Sequence, residues 1–272
     1  MHPRISLSAI STFDWSLDDD LTFWTEAAIT NVGVSALKLE RAGWEVGAGR
    51  VADTGLRVTN LIGLGSFRLD HPEGWTAQRD RVHHVLESAS TVGAECVVLT
   101  TGPAGALTWE EAADALADAL APVLADARER QIPFALEHTN SLRVDIGFVH
   151  TLRDVVDVAP RLGTGVCMEI NACWAERGLA GTIAAGVDSF RLVQVSDFAV
   201  GTLSTPDRLV PGDGDVPLER IVGQVLAAGY EGCFDLELIG PRIAGEGYAA
   251  AAGRGIEYVS ELLDRLGATI VP

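Results

Sequence analysis

Three glutamates and one glutamine follow short apolar segments that have the pattern of β-strands. The segments reaching Glu137, Glu169 and Glu237 each finish on a carboxylate, and the segment from Arg191 reaches the amide of Gln194. Carboxylates held close together raise one another's pKa unless a cation lies among them. Three carboxylate oxygens and one amide oxygen suit Mg²⁺ or Mn²⁺ better than Zn²⁺. We therefore expect these four side chains to bind one divalent cation, Mn²⁺ or Mg²⁺; taken singly, each glutamate would be an ordinary charged strand end.

The elements that must position these side chains alternate regularly along the chain. Each strand candidate is followed by a helical pattern, which predicts βα units with a parallel sheet. Eight consecutive units favour a single (β/α)8 TIM barrel of the α/β class over residues 1–272, in which the carboxyl ends of the strands meet at one mouth. An open doubly wound sheet is the rival, but Gly63-Leu-Gly65 lacks the third glycine of a dinucleotide site. The strand candidates begin near Ile5, Val34, Arg57, Cys96, Phe134, Gly165, Arg191 and Cys233.

Composition excludes several classes of function. Twenty basic and 38 acidic residues give a net charge of 20 − 38 = −18, which disfavours nucleic acid and anionic membranes as partners. No uncharged apolar stretch approaches the length of a membrane span. The four cysteines form no C-x-x-C motif and are interpreted as buried thiols of a reducing compartment. We expect a cytoplasmic protein that acts on a small molecule.

Three local patterns carry structural predictions. Apolar spacing between Thr108 and Arg130 predicts a helix with Thr108 as its N-cap. His83 and His84 fall inside an earlier helical pattern and are interpreted as structural. The Asp213-Gly-Asp215 segment lacks the glutamate of a calcium loop and is interpreted as a turn before a helix at Pro217.

Five segments together resemble a known family. They are Leu136-Glu137, Cys167-Met-Glu169, Val193-Gln-Val-Ser-Asp197, Arg208-Leu-Val-Pro-Gly-Asp-Gly-Asp215 and Gly229-Tyr-Glu-Gly-Cys-Phe-Asp-Leu-Glu237. Over nearly its whole length the chain resembles the xylose isomerase-like TIM barrels, which include sugar and sugar-phosphate isomerases and epimerases. The family's metal ligands are commonly Glu, Asp, His and Glu, and by position they correspond to Glu137, Glu169, Gln194 and Glu237.

The chain departs from the family pattern at three positions. Glu169 replaces the usual aspartate with a longer side chain, which leaves Asn171 as an alternative ligand on the same strand face. Gln194 replaces the usual histidine, so a donor atom remains but a base is lost. Ala172 stands where the family's Asp-x-x-His pattern has its histidine.

The resemblance implies an enzyme that isomerises or epimerises a sugar, a sugar phosphate or a related polyhydroxy carbonyl compound. A proton would leave the carbon next to a metal-bound carbonyl through an enediolate, with Glu137 and Glu237 as base and acid. A metal-dependent lyase is the alternative, either of the 3-dehydroshikimate dehydratase type, where Gln194 matches some members, or of the C-glycoside-cleaving type. A third hypothesis is a non-catalytic barrel subunit with a degenerate site. AP endonucleases share the fold, but their histidine-rich zinc site and basic groove are not matched here.

Further side chains are candidates for substrate contact. His138 is also a candidate general base. For His138 and Asn140 the structural alternative is a loop cap, for Trp174 it is a place in the core, and for the two arginines it is a solvated loop. Asp197 is interpreted as a helix cap, with a contact behind the metal ligands as its alternative. Barrels of this family often pair, so a homo-oligomer is left open. The substrate-binding candidates are His138, Asn140, Asn171, Trp174, Arg208 and Arg242.

Overall fold

The computed structural model of the protein describes residues 1–268. Within them eight parallel strands close into a barrel in chain order, from β1 around to β8 and back. Closure is made by β8 against β1, where Ile5 lies in register with Phe234. The strands are β1 Ile5–Ser8, β2 Asn31–Ser35, β3 Arg57–Ile62, β4 Val97–Thr100, β5 Phe134–Glu137, β6 Gly165–Glu169, β7 Phe190–Val195 and β8 Phe234–Leu236. The predicted (β/α)8 barrel is confirmed.

Helices surround the barrel and cover the outward faces of its strands. They contribute to a large core that contains Trp24, Leu86, Leu116 and Leu262, all buried. The helices are α1 Leu17–Glu26, α2 Ala36–Ala42, α3 Trp44–Ala52, α4 Trp75–Val92, α5 Trp109–Glu129, α6 Leu152–Leu162, α7 Ile170–Cys173, α8 Leu179–Gly186, α9 Leu218–Ala227, α10 Pro241–Glu246 and α11 Tyr248–Arg265. No helix of residues 1–268 is long and apolar enough to cross a membrane.

Seven of the eight strand positions were predicted to within one residue, but β2 begins at Asn31, three residues before the predicted Val34. The strand begins with a polar residue, Asn31, and contains Gly33, so its first residues lack the apolar pattern of a strand. The buried Asn31 amide donates to the carbonyl oxygens of Pro3 and Ile5, which satisfies it inside the sheet. Gly33 lies where a Cβ atom would come within 2.8 Å of the Asn60 amide nitrogen, so the strand has room for no larger residue.

The local predictions also hold. Helix α5 begins after Thr108, whose hydroxyl accepts from the Glu111 N–H in a capping box. His83 and His84 both lie on α4, where His83 contacts Asp126 at 2.7 Å and His84 stacks on Trp44. The four cysteines are free and buried. Residues 213–215 form the predicted turn, and α9 begins directly after Pro217.

Candidate metal centre

Three buried glutamates meet at the carboxyl-terminal mouth of the barrel. Glu137 is the last residue of β5, Glu169 is the last residue of β6, and Glu237 directly follows β8. They are 7%, 2% and 6% exposed, so little water reaches them. Each offers a carboxylate oxygen, and the three ligand atoms lie within 4.8 Å of one another. We call Glu137, Glu169 and Glu237 the glutamate triad.

Gln194 lies on β7, between the strands that carry Glu169 and Glu237. It is paired in register with Glu169, so both side chains point to the same face of the sheet. The side chain is fully buried, yet neither its amide oxygen nor its amide nitrogen has a hydrogen-bond partner among the described residues. Buried amides are rarely left unpartnered in folded proteins, so this one calls for a ligand or water.

The donor set fits a divalent cation. Three carboxylates alone would repel one another in a buried site, and an unpartnered amide oxygen is a further hard donor beside Glu169. Burial, together with the charges of Glu237 and Glu169, raises the pKa of Glu137 well above its ordinary value. Burial also raises the pKa of Glu237 to about 7, with Glu169 adding to the effect. A bound cation would relieve this repulsion and hold the carboxyls ionised.

Arg208 supplies positive charge to the triad. Its Nη1 lies 2.5 Å from Oε2 of Glu169 and donates to Oε2 of Glu237 at 3.2 Å. The same nitrogen donates to the Glu237 carbonyl oxygen at 3.1 Å. Burial lowers the pKa of Arg208, but the charges of Glu169, Glu237 and Glu137 outweigh burial and raise it. The guanidinium therefore remains charged and bridges two strands of the mouth.

The loop that carries Arg208 is held by Asp197. Backbone hydrogen bonds join Asp197 to Leu209 in both directions, next to Arg208. The expectation that Asp197 caps a helix is wrong, because α9 begins after Pro217 and the Asp197 carboxylate instead binds loop N–H groups. Four backbone N–H groups donate to this carboxylate and so fix the loop beside the triad: those of Phe198, Gly212, Gly214 and Val216.

Two predicted substrate contacts lie beside Glu169 and support it. His138 is fully buried, and its Nε2 accepts from the Glu169 N–H at 3.2 Å. Burial lowers the pKa of His138 to about 3, so the ring is neutral. The Asn171 N–H donates to Oε1 of Glu169, whereas the Asn171 side-chain amide donates to the Asp197 carbonyl oxygen. In this arrangement Glu169, and not the Asn171 side chain, belongs to the triad.

The remaining predicted residues do not line the cavity at the triad, and their contacts are with other parts of the chain. Asn140 accepts from the Leu142 N–H and so caps its own loop. Trp174 is half-buried and packs against the core around the barrel. Arg242 is half-exposed, with Nε 3.5 Å from Oδ2 of Asp207. These contacts match the structural alternatives that the sequence left open for Asn140 and Trp174.

A cavity of about 520 Å³ opens above the triad. Glu137, Glu237 and Arg208 line it, whereas Glu169 does not. This volume lies in the range of sites that enclose a small molecule. The two glutamates on β5 and β8 therefore face the space where a ligand would lie, and Glu169 lies behind them, next to Arg208.

Sequence reasoning missed Asp235, two residues before Glu237 on the same face of the chain. Asp235 is fully buried on β8, and burial raises its pKa to about 7. It lies in register with Gln194 on one side and Ser6 on the other, inside the barrel. The side chains of Ser6 and Asn60 hydrogen-bond to the carboxylate and offset part of the effect of burial on the pKa. Strand alternation could have found it, because residues two apart share a face.

Comparison with known proteins agrees with the barrel fold. The family profile described as "Xylose isomerase-like TIM barrel" matches residues 25–262. A search of curated proteins found no significant match to the chain.

Solved structures share the whole architecture at low sequence identity. Protein SMc04130 from Sinorhizobium meliloti 1021 has a TM-score of 0.84 and 22% identity, covering 97% of this chain and 98% of that one. The IolI protein, solved with a bound zinc atom, has a TM-score of 0.83 and 16% identity, covering 97% and 99%. The E. coli 3-keto-D-glucoside 4-epimerase YcjR, in its apo form, has a TM-score of 0.73 and 16% identity, covering 92% and 97%.

Proposed function

Since the chain belongs to the xylose isomerase-like TIM barrel family, we propose that it is a divalent-metal-dependent isomerase or epimerase. Its substrate is a small carbonyl compound with a hydroxyl on the neighbouring carbon, the chemistry that sugars, sugar phosphates and related polyhydroxy compounds share. The glutamate triad carries the proposal, because three buried carboxylates from three strands converge within 4.8 Å. The epimerase activity of YcjR and the zinc atom of IolI support the reaction class and the need for a cation.

Glu137, Glu169, Gln194 and Glu237 would hold the cation, which is proposed to be Mn²⁺ or Mg²⁺. When bound, the cation polarises the substrate carbonyl and so makes the neighbouring C–H bond more acidic. The donor set contains only oxygen donors, which favours these hard cations over the zinc that IolI binds. Arg208 would bind a substrate oxygen at the same end of the cavity, since its guanidinium lines that cavity.

Glu137 and Glu237 are the proposed base and acid. Both carboxyls line the cavity, and they come from β5 and β8, three strands apart around the barrel. One carboxylate takes the proton from the carbon next to the carbonyl, and the other carboxyl returns a proton to the carbon or oxygen from its own side. His138 takes no part in this transfer, because its neutral ring accepts from the Glu169 backbone.

A lyase is the second candidate, and Gln194 is the residue that favours it. An amide at this position cannot exchange protons, so all proton transfer falls to the two cavity-lining glutamates. If the substrate has a hydroxyl β to its carbonyl, the enolate formed by the same first proton removal expels that hydroxyl, which takes a proton from the other carboxyl and leaves as water. The resemblance to 3-dehydroshikimate dehydratases and to C-glycoside-cleaving enzymes gives the classes to test.

Proton exchange in D₂O tests the proposal. The protein is supplied with Mg²⁺ or Mn²⁺ and offered ketoses, ketose phosphates and 3-dehydroshikimate, and products are followed by NMR or absorbance. We expect exchange or turnover that disappears in Glu137→Gln and Glu237→Gln but persists in Glu95→Gln. Glu95 is an exposed matched control that precedes β4, at the opposite end of the barrel. Full turnover in either triad variant would contradict the assignment.

A further inference from the structure

Hydrocarbon side chains make up most of the wall of the cavity above the glutamate triad. Glu137, Glu237 and Arg208 lie together beside the proposed cation, and the other polar side chains of the wall are Ser66, Thr100 and Arg143. The main apolar wall residues are Ile10, Phe13, Ile62, Leu64, Ile146 and Ile239. We call these six residues the apolar wall.

The apolar wall surrounds the cavity from several sides. Ile10 follows β1, Leu64 follows β3, Ile146 lies in the loop after β5, and Ile239 follows β8. Ile10, Ile146 and Ile239 are only half-buried, and Phe13 is 46% exposed. Because these side chains come from four different loops of the barrel mouth, their arrangement depends on the fold and not on one apolar segment. Partly exposed apolar side chains that are grouped around one cavity are typical of a binding surface.

A polyhydroxylated chain would fit this wall poorly. Each hydroxyl taken from water needs a new hydrogen-bond partner, and isoleucine, leucine and phenylalanine side chains offer none. A hydrocarbon ring or chain loses no hydrogen bonds on entering, and it removes its own apolar surface and that of the wall from water.

The charges at the cavity are balanced as well. Arg143 also lines it, but its Nε and Nη2 donate to the two carboxylate oxygens of Asp145, both at 2.9 Å. Arg208 is paired with Glu169 and Glu237. With one divalent cation, three glutamates and Arg208 carry no net charge. A phosphate ester would therefore find no surplus of positive side-chain charge in the cavity.

We infer that the substrate is an uncharged hydroxyketone that bears an apolar ring or chain, with its oxygens at the triad and its hydrocarbon against the apolar wall. The hydroxyketone part of this inference rests on the proposed function. The apolar part rests on the wall alone and does not require a cation.

Three ligands with the same hydroxymethyl ketone group test the inference. 2-Hydroxyacetophenone adds a phenyl ring, L-erythrulose adds a polyol, and dihydroxyacetone phosphate adds a phosphate. Dissociation constants are measured by ligand-detected NMR titration of the Mg²⁺-supplied protein. Burial of the ring predicts that 2-hydroxyacetophenone binds at least about tenfold more tightly than L-erythrulose. Equal or tighter binding of L-erythrulose or dihydroxyacetone phosphate would overturn the inference.

Variants of the wall locate the effect. Ile146→Gln lowers the affinity for 2-hydroxyacetophenone and narrows its advantage over L-erythrulose, and Phe13→Gln, in the loop after β1, does the same. Val144→Gln is the matched control, because Val144 lies two residues from Ile146 in the same loop, is 62% exposed and is not part of the cavity wall. An unchanged ligand preference in both wall variants would contradict the role of the wall.

Repeating the titrations in EDTA separates this inference from the proposed function. The preference for the phenyl ring should persist without a cation, although all three ligands bind more weakly. A protein that binds no divalent cation but still prefers the ring refutes the proposed function and upholds the apolar site. A protein that binds the cation but shows no preference for the ring refutes the apolar site and leaves the proposed function standing.

Discussion

The guanidinium of Arg208 and the carboxylate of Glu169 form an ion pair at the barrel mouth, with 2.5 Å between Nη1 and Oε2. The same nitrogen reaches Glu237, so one positive side chain bridges two members of the glutamate triad. Arg208 therefore stabilises the triad before any cation binds. Its charge also opposes the entry of a second positive charge among the same oxygens.

Replacement of Arg208 should change stability and metal affinity in opposite directions. Arg208→Gln leaves buried carboxylates without their partner and should lower the free energy of unfolding of the metal-free protein by about 3 kcal/mol at pH 8. The loss should be smaller at pH 6, because protonation of the triad relieves the repulsion. Without the arginine charge, Mn²⁺ should bind about tenfold more tightly. Denaturant unfolding and calorimetric titration measure the two effects.

Arg242→Gln is the control for this experiment. Arg242 is half-exposed and lies 3.5 Å from Asp207, so its loss should change stability by less than about 1 kcal/mol and leave metal affinity unaltered. Weaker Mn²⁺ binding in Arg208→Gln would contradict the opposing role of the arginine.

Metal affinity should rise with pH through neutrality. The pKa of Glu237 is raised to about 7 and that of Glu137 lies well above its ordinary value, in both cases mainly through burial. A cation must displace these protons, so each one displaced costs about a factor of ten in apparent affinity per pH unit below the pKa. Titrations with Mn²⁺ at pH 5.5, 6.5 and 7.5 measure the slope.

In the metal-free protein the same raised pKa values have the opposite consequence, because stability falls as pH rises. A carboxyl whose pKa is raised by folding stabilises the protein fully below about pH 4.5 and loses that contribution as pH rises towards 7. Glu237→Gln should remove this loss, so the stability difference between variant and wild type should shift in favour of the variant from pH 4.5 to 7. A pH-independent difference would show that Glu237 titrates normally.

A buried ion pair that is not part of the glutamate triad supports the first βα unit. Lys38, the one lysine of the chain, donates to Oδ2 of Asp20 at 2.7 Å and to the carbonyl and hydroxyl oxygens of Thr12. Asp20→Asn leaves the lysine charge buried without its partner and should cost about 3–5 kcal/mol in urea unfolding. Asp18→Asn removes only an exposed pair with Arg50 and should cost less than about 1 kcal/mol. Similar losses in both variants would contradict this account.

Gly33 gives a further stability test inside the barrel. A Cβ atom there would lie 2.8 Å from the amide nitrogen of the buried Asn60, so Gly33→Ala should destabilise the fold by about 1–3 kcal/mol. Gly49→Ala is the matched control on α3, since a methyl group at this position would meet no atom within 4 Å and alanine favours helix. Thermal melting should therefore show opposite shifts for the two alanine variants.

The barrel and the triad followed from the sequence because strand periodicity and strand ends are local properties. The alternation of Val, Ile and Leu runs with helical spacing determines the order of the elements, and parallel strands bring residues such as Glu137 and Glu237 to one mouth. The family pattern then identified which strand ends to compare, including Gln194.

Other features depend on distances between loops, which sequence spacing does not encode. The bridging position of Arg208, the four N–H groups on Asp197 and the apolar wall each combine residues from separate parts of the chain. Asp235 is different, because it is a buried charge in a strand and the alternation with Glu237 was visible. It was missed because an aspartate inside a barrel goes against the usual exposure of charged residues.

The most direct test of the central claim is metal analysis of the purified protein together with thermal melting in EDTA, Mn²⁺, Mg²⁺ and Zn²⁺. We predict one divalent cation per chain, a melting temperature that rises with Mn²⁺ or Mg²⁺, and loss of both in Glu137→Gln but not in Glu95→Gln. A wild-type protein that holds no cation and melts identically in all four conditions would contradict the metal site, and with it the proposed reaction.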